Sequence, residues 1–172
     1  MKRKCLKLLM ILFFVLIILT GCDFAQKIYY GIFPTSPPND QPTPVVLEPV
    51  KYEVTVHTAD VLYAGTNADV FITIYGSEGQ SEKFQLDKPG YNDFERNNTD
   101  LYSVTTPDDL GNLSHVRIEH NDKGMASGWK LDYVNVRNTK TDMAWFFQCK
   151  RWLAKDEEDG KIQRTITLES CK

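Results

Sequence analysis

Two stretches of the sequence concentrate the oxygen-bearing groups that bind hard metal ions. The first contains Gly65, whose backbone can turn sharply and expose its carbonyl, and Asn67. The second contains Asn92 and Asp93. Calcium prefers about six to eight oxygen ligands drawn from carboxylates, amides and backbone carbonyls. The two stretches therefore predict a calcium site if they meet in the fold, and the alternative is that the same residues serve only to form turns.

The groups that could perform catalysis are poorly arranged in the sequence. There is no GxSxG, no HExxH and no glycine-rich phosphate loop, and the histidines are His57, His115 and His120. Ser114 and His115 are adjacent in a predicted strand, so their side chains are expected on opposite faces and not as a nucleophile and base pair. The chain is therefore predicted not to be an enzyme.

Residues 1–21 have the layout of an export signal. Four basic residues among the first seven precede the apolar run LLMILFFVLIIL, which ends at LTGC, residues 19–22. This tetrapeptide resembles a bacterial lipobox, in which the cysteine takes a diacylglycerol before cleavage. The resemblance implies a lipoprotein anchored through a covalent diacylglycerol on Cys22, on the extracytoplasmic side of the cell membrane. The alternative is an uncleaved signal anchor.

Cleavage before Cys22 would remove four of the 20 basic residues and none of the 23 acidic ones, which leaves a net charge of about −7. Such a charge argues against a nucleic-acid partner. Residues 22–49 hold six of the chain's eight prolines and predict a semi-rigid polyproline II linker. The rest, residues 50–170, is long enough for one domain with a single core.

Eight short segments alternate apolar and polar residues, as half-buried strands do. Loops rich in Gly, Asn, Asp and Pro separate them, and no convincing amphipathic helix is present. The pattern predicts an all-β, antiparallel eight-stranded β-sandwich, with Trp129, Phe146 and Trp152 as core residues. The predicted strands begin near Tyr52, Asp69, Glu82, Thr99, Leu113, Trp129, Asp142 and Lys161.

Cys149 and Cys171 remain as a pair in a compartment that permits disulfides, since Cys5 leaves with the signal and Cys22 is acylated. Cys171 lies just past the last predicted strand. A disulfide forms if that strand runs near the one that carries Cys149. The alternative is that Cys149 is a small buried hydrophobe and Cys171 a loose end.

Four blocks of the domain together resemble the PLAT (LH2) domain family. They are GTNADVFITIYG, LDKPGYNDFERNNTD, LSHVRIEHNDKGMASGWKLDYVNV and FFQCKRWLAKDEEDGKIQRTI. The resemblance implies a sandwich of two four-stranded sheets that binds lipid surfaces or proteins, sometimes through calcium in the loops at one end. The family's calcium positions correspond to the carbonyl of Gly65 and the side chains of Asn92 and Asp93, with Asn67 as a further candidate.

A second feature of the same end is the apolar stretch Val61, Leu62 and Tyr63. Relatives that bind calcium often have an acidic residue at the position of Tyr63. Exposed aliphatic and aromatic residues at a loop tip are suited to contact with a membrane, and Met125 would join them if it lies at the same end. The alternative is that Leu62 folds back onto the core.

These features predict a membrane-anchored bacterial lipoprotein that displays one non-catalytic PLAT domain on a short stalk. Its loops would bind lipid or an envelope protein, with calcium as a candidate cofactor. The alternative is an accessory or inhibitory envelope lipoprotein that contacts another protein and does not recognise lipid.

Overall fold

The computed structural model describes residues 48–172, and the predicted export signal, Cys22 and all but the last two residues of the predicted linker lie outside this range. A compact unit runs from Val46 to Lys172. The buried apolar cluster of the described residues lies entirely between Val50 and Ile166, so this unit contains its own core. Within residues 48–172 no helix is long and apolar enough to cross a membrane.

Residues 48–172 fold into nine antiparallel strands arranged in two sheets. The four-stranded sheet has the order β5-β1-β7-β8, and the five-stranded sheet has the order β3-β2-β6-β9 with β4 also paired to β2. The prediction of an all-β antiparallel sandwich is confirmed. The strands are β1 (Val50–Thr58), β2 (Val70–Gly76), β3 (Gly79–Gln80), β4 (Phe84–Leu86), β5 (Thr99–Thr106), β6 (Leu113–His120), β7 (Trp129–Asn138), β8 (Ala144–Leu153) and β9 (Gln163–Thr167).

The predicted count of eight strands in two sheets of four is wrong by one short strand. Both β3 and β4 pair with β2, at Tyr75↔Gln80 and Ile72↔Phe84. Between them the hydroxyl of Ser81 accepts the backbone N–H of Ile74 at 2.9 Å. A side chain thus replaces a carbonyl at this point of the ladder, which divides one edge strand into two pieces.

The core consists of the inward-facing residues of both sheets. Trp129 is fully buried, and its indole N–H donates to the Thr58 hydroxyl at 2.9 Å. The prediction that Phe146 belongs to the core is wrong, because its side chain is half-exposed and the alternation of β8 turns Phe147 inward instead. Trp152 is partly buried, with the Lys130 ammonium 5.3 Å from its ring centroid.

A disulfide between Cys149 and Cys171 joins the two sheets, with the α-carbons 4.9 Å apart. Cys149 lies in β8, the outer strand of the four-stranded sheet, and Cys171 forms a β-bridge with Ile166 of β9, the outer strand of the other sheet. The bond therefore crosses the open side of the sandwich between its two edge strands. It also holds the C-terminal residues, which otherwise fray.

Four loops leave the sandwich at one end, which we call the loop end. They are 59–69, 87–98, 121–128 and 154–162. The chain enters β1 at the opposite end, where Val50 pairs with Thr106. The candidate site is therefore built at the end of the sandwich opposite the start of β1.

At the opposite end Asp109 organises the 107–112 loop, and this arrangement predicts an acid-sensitive contribution to stability. Its carboxylate accepts hydrogen bonds from the Gly111 N–H at 2.9 Å, the Tyr52 hydroxyl at 3.0 Å and the Asn138 amide at 3.2 Å. The bond from Gly111 is the largest influence, and together these bonds outweigh burial and lower the pKa of Asp109.

A carboxyl whose pKa is lower in the folded state stabilises the protein above its unfolded pKa, and this contribution is lost as the pH falls through the folded value. We therefore expect Asp109→Asn to reduce the free energy of unfolding by about 1–2 kcal/mol at neutral pH. It should also reduce the part of the stability that the protein loses below about pH 4. Urea unfolding of both proteins across this range measures the effect, and two parallel pH curves would contradict it.

Candidate functional site

The 59–69 and 87–98 loops approach each other closely at Gly65. The Thr66 N–H donates to the Phe94 carbonyl at 3.3 Å. A β-carbon on residue 65 would lie 3.0 Å from that same carbonyl oxygen, so a side chain would fit only if the backbone of the 87–98 loop moved by a few tenths of an ångström. The expected meeting of these two loops is thus present, and glycine permits it.

The 121–128 loop is fastened to the same pair. The Thr66 hydroxyl donates to the Ser127 carbonyl at 2.8 Å, and the Asn67 amide donates to the Met125 carbonyl at 3.4 Å. On its other side, Asp122 of this loop pairs with Lys155 at 2.5 Å. The loop end is therefore one connected surface to which four loops contribute.

A polar depression of about 170 Å³ opens between the first two loops. Asn67, Asn92 and Asp93, three of the four predicted calcium residues, line it. Gly65, the fourth, does not line the depression, but the next residue, Thr66, does. The structure therefore brings three of the four predicted residues together, and a calcium ion could bind there only if their oxygen atoms are available to it.

Asp93 is already held by a lysine that the sequence analysis did not single out. The Lys88 ammonium lies 3.2 Å from Asp93 Oδ1 and 2.5 Å from Asp100 Oδ1. It also lies 3.8 Å from the centre of the Tyr91 ring. Burial opposes the charge, but the hydrogen bond that the ammonium donates to Asp100 and its ion pair with Asp93 outweigh burial and raise the pKa of Lys88. This lysine is therefore a cation at neutral pH.

The donor set does not fit calcium in this arrangement. A calcium ion within about 2.3–2.6 Å of Asp93 would lie close to the Lys88 ammonium, and two like charges at that separation repel strongly where water is partly excluded. Among residues 48–172 no three His, Cys, Asp or Glu side chains are grouped so that they could hold a metal.

The apolar residues of the loop end are exposed, and we call Leu62, Tyr63 and Met125 the apolar tip. Their side chains are 65%, 82% and 90% exposed, and the neighbouring Val61 is 39% exposed. Leu62 therefore does not fold back onto the core. Tyr63 adopts a φ of 61°, a left-handed conformation that is unfavourable for a residue with a side chain, in the turn where the Ala64 N–H donates to the Val61 carbonyl.

Tyr91 is a further exposed aromatic at this end, and sequence reasoning missed it. It is 52% exposed, and its hydroxyl accepts the Asn98 amide at 2.9 Å. Its position in a Pro-Gly-Tyr turn was the available signal. Lys88 gave no such signal, because its pairing with Asp100 depends on how the loop folds back onto β5.

The expectation that the Ser114 and His115 side chains lie on opposite faces of their strand is wrong. The Ser114 hydroxyl and His115 Nδ1 lie 2.9 Å apart, although the two residues are adjacent in β6. The β2–β6 register shifts between Tyr75↔His115 and Gly76↔Leu113, which leaves Ser114 without a partner and breaks the alternation of faces. The Ser114 hydroxyl also lies 3.3 Å from the Tyr75 carbonyl, to which it can donate, and the His115 ring stacks on Tyr75 at 4.2 Å.

Comparison with known sequences places this geometry in a family. The model of the PLAT/LH2 domain matches residues 52–167. Human lipoxygenase homology domain-containing protein 1 is 42% identical over 128 residues, which cover 74% of this chain and 6% of that protein. Human polycystin-1-like protein 3 is 38% identical over 115 residues, which cover 67% of this chain and 7% of that protein. The chain thus spans less than a tenth of the length of these relatives.

Solved structures with the same fold include a lipoxygenase and a bacterial toxin. The crystal structure of coral 8R-lipoxygenase, described as showing calcium activation via a C2-like domain, has a TM-score of 0.60 and 27% identity over 68% of this chain and 16% of that one. The alpha toxin of Clostridium absonum has a TM-score of 0.53 and 26% identity, over 74% of this chain and 33% of the toxin chain. With the family match covering most of the sandwich, the chain belongs to the PLAT/LH2 domain family.

Proposed function

We propose that this chain is a membrane-anchored bacterial lipoprotein whose PLAT domain binds lipid surfaces through the apolar tip. The observation that carries the proposal is the joint exposure of Leu62, Tyr63 and Met125 on two loops that hydrogen bonds hold together. Fully burying an apolar side chain of this size contributes about 1.5–3 kcal/mol. Partial insertion of three such side chains is thus enough for reversible binding.

The charges of the loop end favour a neutral lipid surface over an anionic one. Four of the five basic side chains of the loop end are paired with carboxylates: Lys88 with Asp93 and Asp100, Arg96 with Asp60, Lys155 with Asp122 and Lys161 with Asp159. Among residues 48–172, only Lys123 at this end has no such partner, and it is exposed. Paired cations attract anionic headgroups weakly, whereas apolar insertion does not depend on headgroup charge. Binding should therefore change little with salt concentration.

Co-sedimentation with phosphatidylcholine vesicles tests this function. The unlipidated unit 46–172 is used, because it contains its own core and cannot bind through the anchor. We expect it to pellet with neutral vesicles in the presence of a chelator. In the same buffer without vesicles it should remain in solution. Failure to bind neutral vesicles at lipid concentrations in the millimolar range would refute the proposal.

The anchor forms a separate part of the proposal and lies outside the described residues. The tetrapeptide LTGC after an apolar run supports acylation of Cys22. We expect mass spectrometry of the mature protein to show loss of residues 1–21 and the added mass of acyl chains. Cys22→Ser should release or mislocalise the protein. An intact, unmodified N-terminus would contradict the anchor without affecting the vesicle experiment.

A second candidate function, contact with another envelope protein, is favoured by the outer face of the four-stranded sheet. There the rings of Tyr133 and Phe146 lie 4.9 Å apart, and Phe146 and Leu101 are about half-exposed. Aromatic residues are enriched at the centres of protein interfaces. If the domain binds no vesicles, this face becomes the better candidate.

A further inference from the structure

The 87–98 loop is organised by two buried carboxylates. Asp93 Oδ2 accepts the Lys88 N–H and Asp100 Oδ2 accepts the Phe94 N–H, both at 2.9 Å. The side chains of Asp93 and Asp100 are only 7% and 1% exposed. Two carboxylates that face each other away from water require a positive charge between them, or one of them must take up a proton.

The Lys88 ammonium supplies that charge. It lies within 3.2 Å of one oxygen of each carboxylate, and the ring of Tyr91 covers it at 3.8 Å. The Asn98 amide completes the cluster with hydrogen bonds to Asp100 at 3.1 Å and to the Tyr91 hydroxyl at 2.9 Å. The cation is therefore ligated by carboxylates and capped by an aromatic ring.

We propose that Lys88 is a built-in cation that takes the structural place of a bound divalent ion, so that the 87–98 loop is ordered without calcium. Because the ammonium belongs to the loop that it organises, loop order does not depend on the concentration of any free ion. If the proposed lipid binding is correct, membrane contact by this domain is constant and not gated by calcium.

Thermal unfolding of the full chain in a nonionic detergent, with millimolar calcium and with chelator, tests the proposal. The unsubstituted protein should melt at the same temperature in both conditions. Lys88→Met leaves the carboxylates without their counter-charge, so it should melt several degrees lower in chelator. Calcium should then raise its melting temperature by about 3 °C or more.

Two matched variants show whether the effect belongs to this position. Lys83→Met removes a lysine that also pairs with a carboxylate, Glu119 at 3.1 Å, and also lies over a ring, Phe71 at 4.9 Å, but is mostly exposed. It should melt nearly unchanged and show no response to calcium. Lys88→Arg keeps the charge and should also show no response.

Three results would overturn the proposal. They are a rise of about 3 °C or more with calcium in the unsubstituted protein, no greater loss in Lys88→Met than in Lys83→Met, or no calcium response in Lys88→Met. If Lys88→Met does not fold, the double variant with Asp100→Asn decides. Removing both charges should restore a cooperative transition, and a double variant that also fails to fold would count against the proposal.

Discussion

Replacing Leu62, Tyr63 and Met125 together with serine is expected to weaken binding to neutral vesicles by about 100-fold or more, because the loss of roughly 1 kcal/mol of apolar burial per side chain multiplies across three positions. The melting temperature should stay nearly the same, since all three side chains are exposed and none belongs to the core. A titration of vesicles against the unit 46–172, read by co-sedimentation, gives the ratio of partition coefficients.

The control for this variant removes apolar surface elsewhere on the molecule. Leu101→Ser with Phe146→Ser takes two half-exposed side chains from the outer face of the four-stranded sheet. Vesicle binding of this control should be within about twofold of the original. An equal loss of vesicle binding in the two variants would show that any exposed apolar surface contributes to binding. It would contradict the proposal that the apolar tip is the lipid-binding site.

The disulfide carries the second large effect. Cys171→Ser is expected to lower the free energy of unfolding by about 3 kcal/mol, since a bond between residues 22 positions apart limits the conformations of the unfolded chain. Cys171 is the better position to change, because Cys149 packs in the core and its loss would also leave a cavity. Urea unfolding of the unit 46–172 measures the difference.

Reduction and thiol counting provide the control. A reducing agent should destabilise the original unit by the same amount and leave Cys171→Ser unchanged. Under denaturing, non-reducing conditions the original unit, purified from an oxidising compartment, should show no free thiol. Two free thiols would mean that Cys149 is only a core residue and that Cys171 is free.

The alternation of side chains predicted most of the fold because each strand buries one face. Val54 and Val56 of β1, for example, are fully buried as their spacing indicated. Alternation could not settle which of the adjacent residues Phe146 and Phe147 faces the core, because either choice of face would bury one of the two phenylalanine rings. Nor could it locate the break at Ser81 or the register shift at Ser114, which depend on hydrogen bonds to a neighbouring strand.

The candidate site was predictable in composition but not in charge balance. Glycine and polar residues in two loops indicated that the loops meet, and Gly65 suits the close approach to Phe94 because a β-carbon there would lie only 3.0 Å from the Phe94 carbonyl oxygen. A single lysine in a loop is normally solvated, so nothing in the sequence marked Lys88 as the partner of Asp100, twelve residues away. Sequence patterns report which residue types are available, whereas the pairing of buried charges depends on the folded loop.

The depth of the apolar tip in a lipid surface tests the central proposal most directly. An environment-sensitive fluorophore is attached at Leu62→Cys in the unit 46–172, and at Glu78→Cys, an exposed position at the opposite end of the sandwich, as the comparison. With phosphatidylcholine vesicles in chelator, emission from position 62 should shift to the blue and be quenched by lipids that carry a quencher in their acyl chains. Emission from position 78 should not change. A fluorophore at position 62 that stays in water while the protein is bound to vesicles, or equal responses at both positions, would contradict insertion of the apolar tip.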